Sequence, residues 1–183
     1  MYLSTGESNL SLAGGLALSA TYRSADKGSG LLVLHCTDVQ TNDGKKTTLQ
    51  LDPWSPEGFR IDHWIEGGAV VICGANRIVT ISLADLETRS AIPLEYEECE
   101  ACGQPWFVHG NGLLIIATES RVFCLDKRLA IRWCWTVKVY SQDWWRLVSE
   151  PKIEGDILRI TLRSPRKDVD VELDVNSAVQ VLT

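Results

Sequence analysis

No run of eighteen apolar residues occurs in this 183-residue chain, so no segment reads as a membrane-spanning helix. A sustained apolar stripe at helical spacing is missing too. The stretch "SLADLETRSAI" has weak helical character, but it is too short to outvote its surroundings. The opening "MYLSTGESNLSLAGG" has neither the basic stretch nor the long apolar core of a secretory signal. Basic residues are scarce, with 18 Lys and Arg against 24 Asp and Glu, a net charge of −6 and a pI near 5.1. That balance opposes binding to nucleic acid, which rests on clustered Lys and Arg, and to anionic membrane. Catalytic signatures are equally thin. There is no Gly-x-Ser-x-Gly, no phosphate-cradling glycine loop ahead of a helix, and there are three histidines to serve as bases.

Six cysteines are present, and four of them sit in apolar runs: "VLHCT", "VVICG", "RVFCL" and "RWCWT". In such runs a free cysteine behaves as a small buried hydrophobe. With no signal sequence, this points to free thiols in a reducing, cytoplasmic compartment.

What the chain has is repetition. "WIEGGAVVI" at 64–72 is written again as "FVHGNGLLI" at 107–115 and "KIEGDILRI" at 152–160, with a fainter "SLAGGLALS" at 11–19. The marker glycines are Gly14, Gly67, Gly110 and Gly155, in steps of 53, 43 and 45 residues. Periods of this length belong to propellers and arrays, in which one unit cannot bury its own apolar face. Each glycine leads into three short runs rich in Val, Ile, Thr and aromatics and separated by polar breaks, which is the pattern of strands and hairpins. In "VDVELDV", Val169, Val171, Leu173 and Val175 point one way and Asp170, Glu172 and Asp174 the other. The longer loops "RSADKGSG" and "QTNDGKK" account for the larger first step. A fourth strand leads into each turn, from "ESNLSLA", "GFRIDHWI", "GQPWFV" and "WWRLVSEPKI".

The expected fold is therefore all-β: four propeller-like antiparallel units of three to four strands, at about 8–52, 58–96, 103–138 and 144–183, in one domain over 1–183. The units close into a four-unit ring or pseudo-ring, pair into a β-sandwich or barrel, or form an open arc completed by another chain. The third unit, "GNGLLIIATESRVFCLDKRLAIRWCW", resembles a blade of the quinoprotein (pyrroloquinoline-quinone-type) β-propellers. That family's habit is an apolar strand, a tight turn, an aromatic-containing strand closing in Leu-Asp, a turn, and an apolar strand ending near Trp. Leu125, Asp126 and Trp133 fill those places. The resemblance implies a propeller blade. It carries over no cofactor-binding residue, and no cofactor is expected.

The pair Cys99 and Cys102 has the spacing at which two thiolates grip one zinc ion, with His109 seven residues on as a further ligand. Glu98 and Glu100 raise the thiol pKa, which favours a plain connecting loop over a metal or redox site. His35, within "LLVLHC", reads as a satisfied core or edge residue. His109 takes the turn slot that Glu66 and Glu154 hold in sister units. Trp133 and Trp135 share one strand face with Ile131 and Val137 and read as core.

The other tryptophans lie in or beside the connectors between units. In a propeller those connectors open on one rim. "LDPWSPEG", "EYEECEACGQPW" and "YSQDWWR" would gather Trp54, Trp106, Trp144 and Trp145 amid Glu95, Glu97, Glu98, Glu100 and Asp143. Tryptophan is enriched at interface hot spots, and surrounding carboxylates steer a basic partner. The expected function is a non-catalytic protein-binding domain whose partner is another protein with a basic surface, with no nucleic acid and no membrane involved. In size and charge the chain is similar to the immunity proteins that neutralise bacterial toxins, many of them basic nucleases. Two other classes compete: a small hydrolase or ligand-binding enzyme with its site at a central opening, and a subunit of a larger β assembly.

Overall fold

The computed structural model describes residues 2–3, 6–11, 16–24, 30–38, 40–51, 59–64, 68–73, 77–93, 105–137 and 145–178. Among the described residues, seventeen strands make four antiparallel sheets, and no α-helix occurs. Strand β1 (Tyr2–Leu3) comes first in the chain but joins the second sheet. The first sheet runs in sequence order through β2 (Gly6–Ser11), β3 (Leu16–Ser24), β4 (Gly30–Asp38) and β5 (Gly44–Leu51). The second contains β6 (Phe59–Trp64), β7 (Ala69–Cys73), β8 (Arg77–Ser82) and β9 (Thr88–Pro93), with β1 paired along β6. The third is β10 (Trp106–Gly110), β11 (Leu113–Ala117), β12 (Arg121–Leu125) and β13 (Ile131–Thr136). The fourth holds β14 (Arg146–Leu147), β15 (Lys152–Glu154), β16 (Ile157–Arg163) and β17 (Asp168–Asp174). All four are open sheets, and none closes on itself as a barrel.

The chain divides into two compact units, Met1–Cys99 and Glu100–Thr183. In the first unit, Leu18, Leu32 and Leu34 of the first sheet share a core with Ile61, Val70, Ile72, Val79 and Ile81 of the second. In the second unit, Leu113, Ile115, Val122 and Cys124 meet Leu158, Ile160, Leu162, Val171 and Leu173. The period-two alternation places them there: on β17, Val171 and Leu173 are buried while Asp168 and Asp170 are exposed. Strands β7 and β11 are buried on both faces, which is why "AVVIC" and "LLIIA" read as unbroken apolar runs. The fourth sheet instead turns one face outward. There Arg159 pairs with Glu154 and Glu172, Arg163 pairs with Asp168, and Thr161 bonds Asp170.

Several details depart from the sequence reading. "WWRLVSEPKI" is not one strand: β14 and β15 both pair with β16, separated by residues 148–151. Pro151 lacks the N–H that a continuous ladder needs. The third run of the last unit, 178–182, falls almost wholly outside the described residues, as do Gly14 and Gly67. The larger first step comes from longer strands as well as loops. Strands β3 and β4 have nine residues each, against five in β7 and six in β8, while 38–43 and 82–87 are loops of equal length.

Turn geometry corrects the glycine alignment by one residue. Gly110 is the last strand residue, opposite Leu113, and the two turn residues are Asn111 and Gly112, both at positive φ. In the last unit the turn is Gly155-Asp156, with Glu154 opposite Ile157. Gly110 thus matches Glu154. A Cβ there would lie 3.1 Å from Cδ1 of Ile153 on the neighbouring sheet.

A second repeat is more regular than the glycine. Asp38, Ser82, Asp126 and Asp174 begin the loop after the third strand of each sheet, in steps of 44, 44 and 48 residues. Each aspartate accepts backbone N–H bonds from its own loop: Gln40 and Thr41 on Asp38, Arg128 and Ala130 on Asp126, Asn176 and Ser177 on Asp174. Each loop also carries one residue at positive φ: Asn42, Leu86, Leu129 and Ala178.

Candidate functional site

Two regions hold convergent side chains. The first is a cleft of about 690 Å³ in the first unit, at the end of its sheets where the glycine turn and the third-strand loops lie. Its wall is Leu16, Cys36 and Leu83, and its rim is Asp38, Thr41, Asp43, Lys45 and His63. Lys45 stands on the core-facing row, opposite Cys36, because β5 pairs with β4 in that register. Its ammonium reaches across to donate to the carbonyl of Ala84 on the second sheet. Arg77 makes the reverse stitch, donating through Nη2 to the Gln50 carbonyl of the first sheet. Burial pushes the Cys36 thiol above its usual value, Lys45 pulls it back, and Asp38 adds to the rise. Cys36 therefore stays a protonated, unreactive wall atom at neutral pH.

The second region is the connector end of the second unit. The row Trp106–Ala117–Val122–Trp135 runs across the third sheet through successive ladder pairs. Trp106, Trp135 and Trp145 are all half-buried and pack against the unit's core. The tip of the β11–β12 hairpin holds both sides of the connector: Val137 N–H donates to the Ser120 carbonyl at 2.9 Å, and Leu147 N–H to the Glu119 carbonyl at 2.8 Å. Trp133 is fixed differently, its indole N–H donating to the Val175 carbonyl at 2.8 Å.

Of the proposed contact residues, Trp106 and Trp145 therefore lie at one end of one unit. Trp54, Glu95, Glu97, Glu98, Glu100, Asp143 and Trp144 lie outside the described residues, as do Cys99 and Cys102. His109 does not sit in a turn; it is an exposed residue of β10 opposite Leu114, because the true turn begins two residues later. Among the described residues no three His, Cys, Asp or Glu side chains stand close enough to hold a metal. His35 is exposed on the outer face of the first sheet, since β4 buries Leu34 and Cys36 on the other. Cys134 is exposed too, facing away from Trp133 and Trp135, whereas Cys36, Cys73 and Cys124 are buried as expected. Ile131 leaves the tryptophan face: a bulge between Cys124 and Leu125 sets it opposite Leu125, 46% exposed.

Sequence reasoning missed the cleft because its lining residues come from four strands and three loops. The strand-closing position recurs every 44 to 48 residues, as an acid in three units and as Ser82 in the second, and the Leu125-Asp126 closure is its clearest copy.

No family model matches the sequence, and no curated protein matches it. Among solved structures, the chain is similar to a quinohemoprotein alcohol dehydrogenase from Pseudomonas putida HK5, at 12% identity and a TM-score of 0.54, over 99% of this chain and 35% of that one. It is also similar to the AfRom2 CNH domain, at 10% identity and a TM-score of 0.46, over 98% of this chain and 54% of that one. A europium-containing methanol dehydrogenase matches at 11% identity and a TM-score of 0.40, over 100% and 26%. The chain is thus about half the length, or less, of these solved chains. The first likeness shows the fold alone: four sheets of the propeller-blade kind, as in the quinoproteins.

Proposed function

We propose that this chain is a non-catalytic protein-binding domain that uses the connector end of its sheets to hold a partner with a basic surface, in the manner of an immunity-type inhibitor of a basic toxin or nuclease. The observation that carries this reading is the trio Trp106, Trp135 and Trp145, half-buried at one end of the second unit. Each is anchored on the core and leaves part of its indole exposed, the arrangement found in rigid interface anchors. The sequence ahead of β10 and β14 is acidic, with Glu95, Glu97, Glu98, Glu100 and Asp143, all outside the described residues. Carboxylates there would speed association with a cationic surface and fix its register. The cleft supports a hydrolase less well. Asp38 accepts two N–H groups of its own loop at Oδ1 and Lys45 donates to a backbone carbonyl, contacts that hold the loops together rather than activate a nucleophile.

The test is co-expression with the products of the neighbouring genes, followed by size-exclusion and titration calorimetry on any complex. A cognate partner is expected to elute with the chain and to associate more slowly as salt rises. Trp106→Ala with Trp145→Ala is expected to weaken it at least tenfold. Joint Glu97→Lys and Glu98→Lys should slow association. A complex indifferent to both double changes would place the interface elsewhere and sink the reading.

A further inference from the structure

The cleft in the first unit is independent of the connector end and has the build of a small-molecule site. Its volume of about 690 Å³ falls inside the range of roughly 300–1,000 Å³ typical of such pockets. Its floor is apolar, from Leu16, Cys36 and Leu83. Its charges are unequal: two carboxylates, Asp38 and Asp43, against one ammonium, Lys45. The state of each matters more than the sum. Lys45 is engaged by the Ala84 carbonyl on the opposite wall. Asp38 receives the Gln40 and Thr41 N–H groups at Oδ1, at 2.8 and 3.1 Å, and its Oδ2 meets no donor among the described residues. Asp43 is held by its backbone, its N–H on Thr41 Oγ1 at 3.3 Å and its carbonyl under the Asp38 N–H at 2.9 Å. Its carboxylate meets no donor among the described residues. The loop thus carries an exposed carboxylate with no protein donor among the described residues beside an apolar wall, while the one lysine of that lining keeps its charge and gives one N–H to Ala84. His63 lines the same cleft from β6.

We propose that this cleft binds a small organic cation: a protonated amine borne on an apolar body, the ammonium on Asp43 and the open oxygen of Asp38, the body against Leu16 and Leu83. An anionic ligand meets two carboxylates against the one ammonium of Lys45 among the described lining residues. A neutral one of the same shape fills the floor and leaves Asp43 without a partner.

The experiment uses the full-length chain, isotope-labelled for NMR, and three probes of one shape: phenethylamine, 2-phenylethanol and phenylacetate. The amine should shift the amide signals of Thr41, Asp43, Gly44, Gly68 and Ala84 saturably. The alcohol should bind about tenfold more weakly, and the acetate not at all, as a charge-assisted hydrogen bond requires. Asp43→Asn keeps the loop's backbone bonds and should abolish the preference for amine over alcohol. Lys45→Met, which removes the competing charge, should leave that preference intact or increase it. Equal affinity for amine and alcohol, an Asp43→Asn protein that still prefers the amine, or no saturable shift at these amides overturns the proposal. None of these outcomes bears on the connector end, which lies in the other unit.

Discussion

A Cβ at Gly110 would lie 3.1 Å from Cδ1 of Ile153, so that side chain must give by a few tenths of an ångström to admit it. Gly110→Ala is therefore expected to cost about 1–3 kcal/mol through overpacking. Ile153→Val, which removes the offending methyl, should recover much of that in the double variant. Denaturant titration of the four proteins measures the coupling, and simple additivity would mean that the contact is not the cause. The cysteines separate in a similar way. Exposed Cys134 should be modified by a thiol reagent in the native protein, while Cys124, whose thiol burial pushes up to about 11, should stay protected at mildly alkaline pH. Peptide-resolved mass spectrometry reads both at once. A sequence legibly announces that these cysteines lie in strands. The outward face of Cys134 follows from its alternation with Trp133 and Trp135, whereas the displacement of Ile131 by the bulge at Cys124/Leu125 is a property of pairing with β12 rather than of "IRWCWT" itself.

The recurrent unit is best seen in the loop after the third strand of each sheet. Leu86 and Leu129 adopt positive φ there, a conformation costing roughly 1–2 kcal/mol for a residue with a side chain. Both are nearly fully buried, which stabilises by about 1.5–3 kcal/mol each and outweighs that strain. Asn42 holds the same backbone geometry in the open. Leu86→Gly is thus expected to destabilise by about 1–2 kcal/mol, since lost burial and added chain entropy exceed the strain relieved. Asn42→Gly should stay within about 0.5 kcal/mol of the parent. Thermal unfolding tests the contrast, and equal losses would refute the account. On the outer face of the fourth sheet, the Arg163 guanidinium holds the Asp168 carboxyl below its ordinary value, first through the hydrogen bond and then through its charge. A lowered folded pKa contributes stability above the ordinary carboxylate range, and that contribution disappears as pH falls through the folded value. Asp168→Asn should therefore lower the melting temperature at neutral pH and make no difference in strong acid. The ladder is solvent-exposed, so the effect is small and salt-sensitive. The alternation behind it was plain in "VDVELDV". The split of the fourth sheet's first strand was readable only from Pro151, because the preceding residues have ordinary strand character.

Among the described residues, apolar side chains assemble into two cores that share no residue, one in each unit. Ile72→Ala in the first and Ile160→Ala in the second are each expected to cost about 2–5 kcal/mol, and the pair to add within about 0.5 kcal/mol. Strong non-additivity in denaturant unfolding would mean that the cores are not independent. Four repeats were legible from periodicity, since strand spacing is local information. Their grouping two by two was not, because which sheets share a core is decided by side chains that lie far apart in sequence. The cleft's lining was hidden for the same reason. The hairpin tip at Glu119 and Ser120 has one more implication. It binds Leu147 and Val137 through adjacent carbonyls, so the polypeptide between them leaves and returns at nearly one point. Lengthening a segment closed in this way costs only about 0.6 kcal/mol per doubling. That makes 138–144 a place to splice in a fluorescent reporter or an affinity handle at little expected cost to the stability of the core.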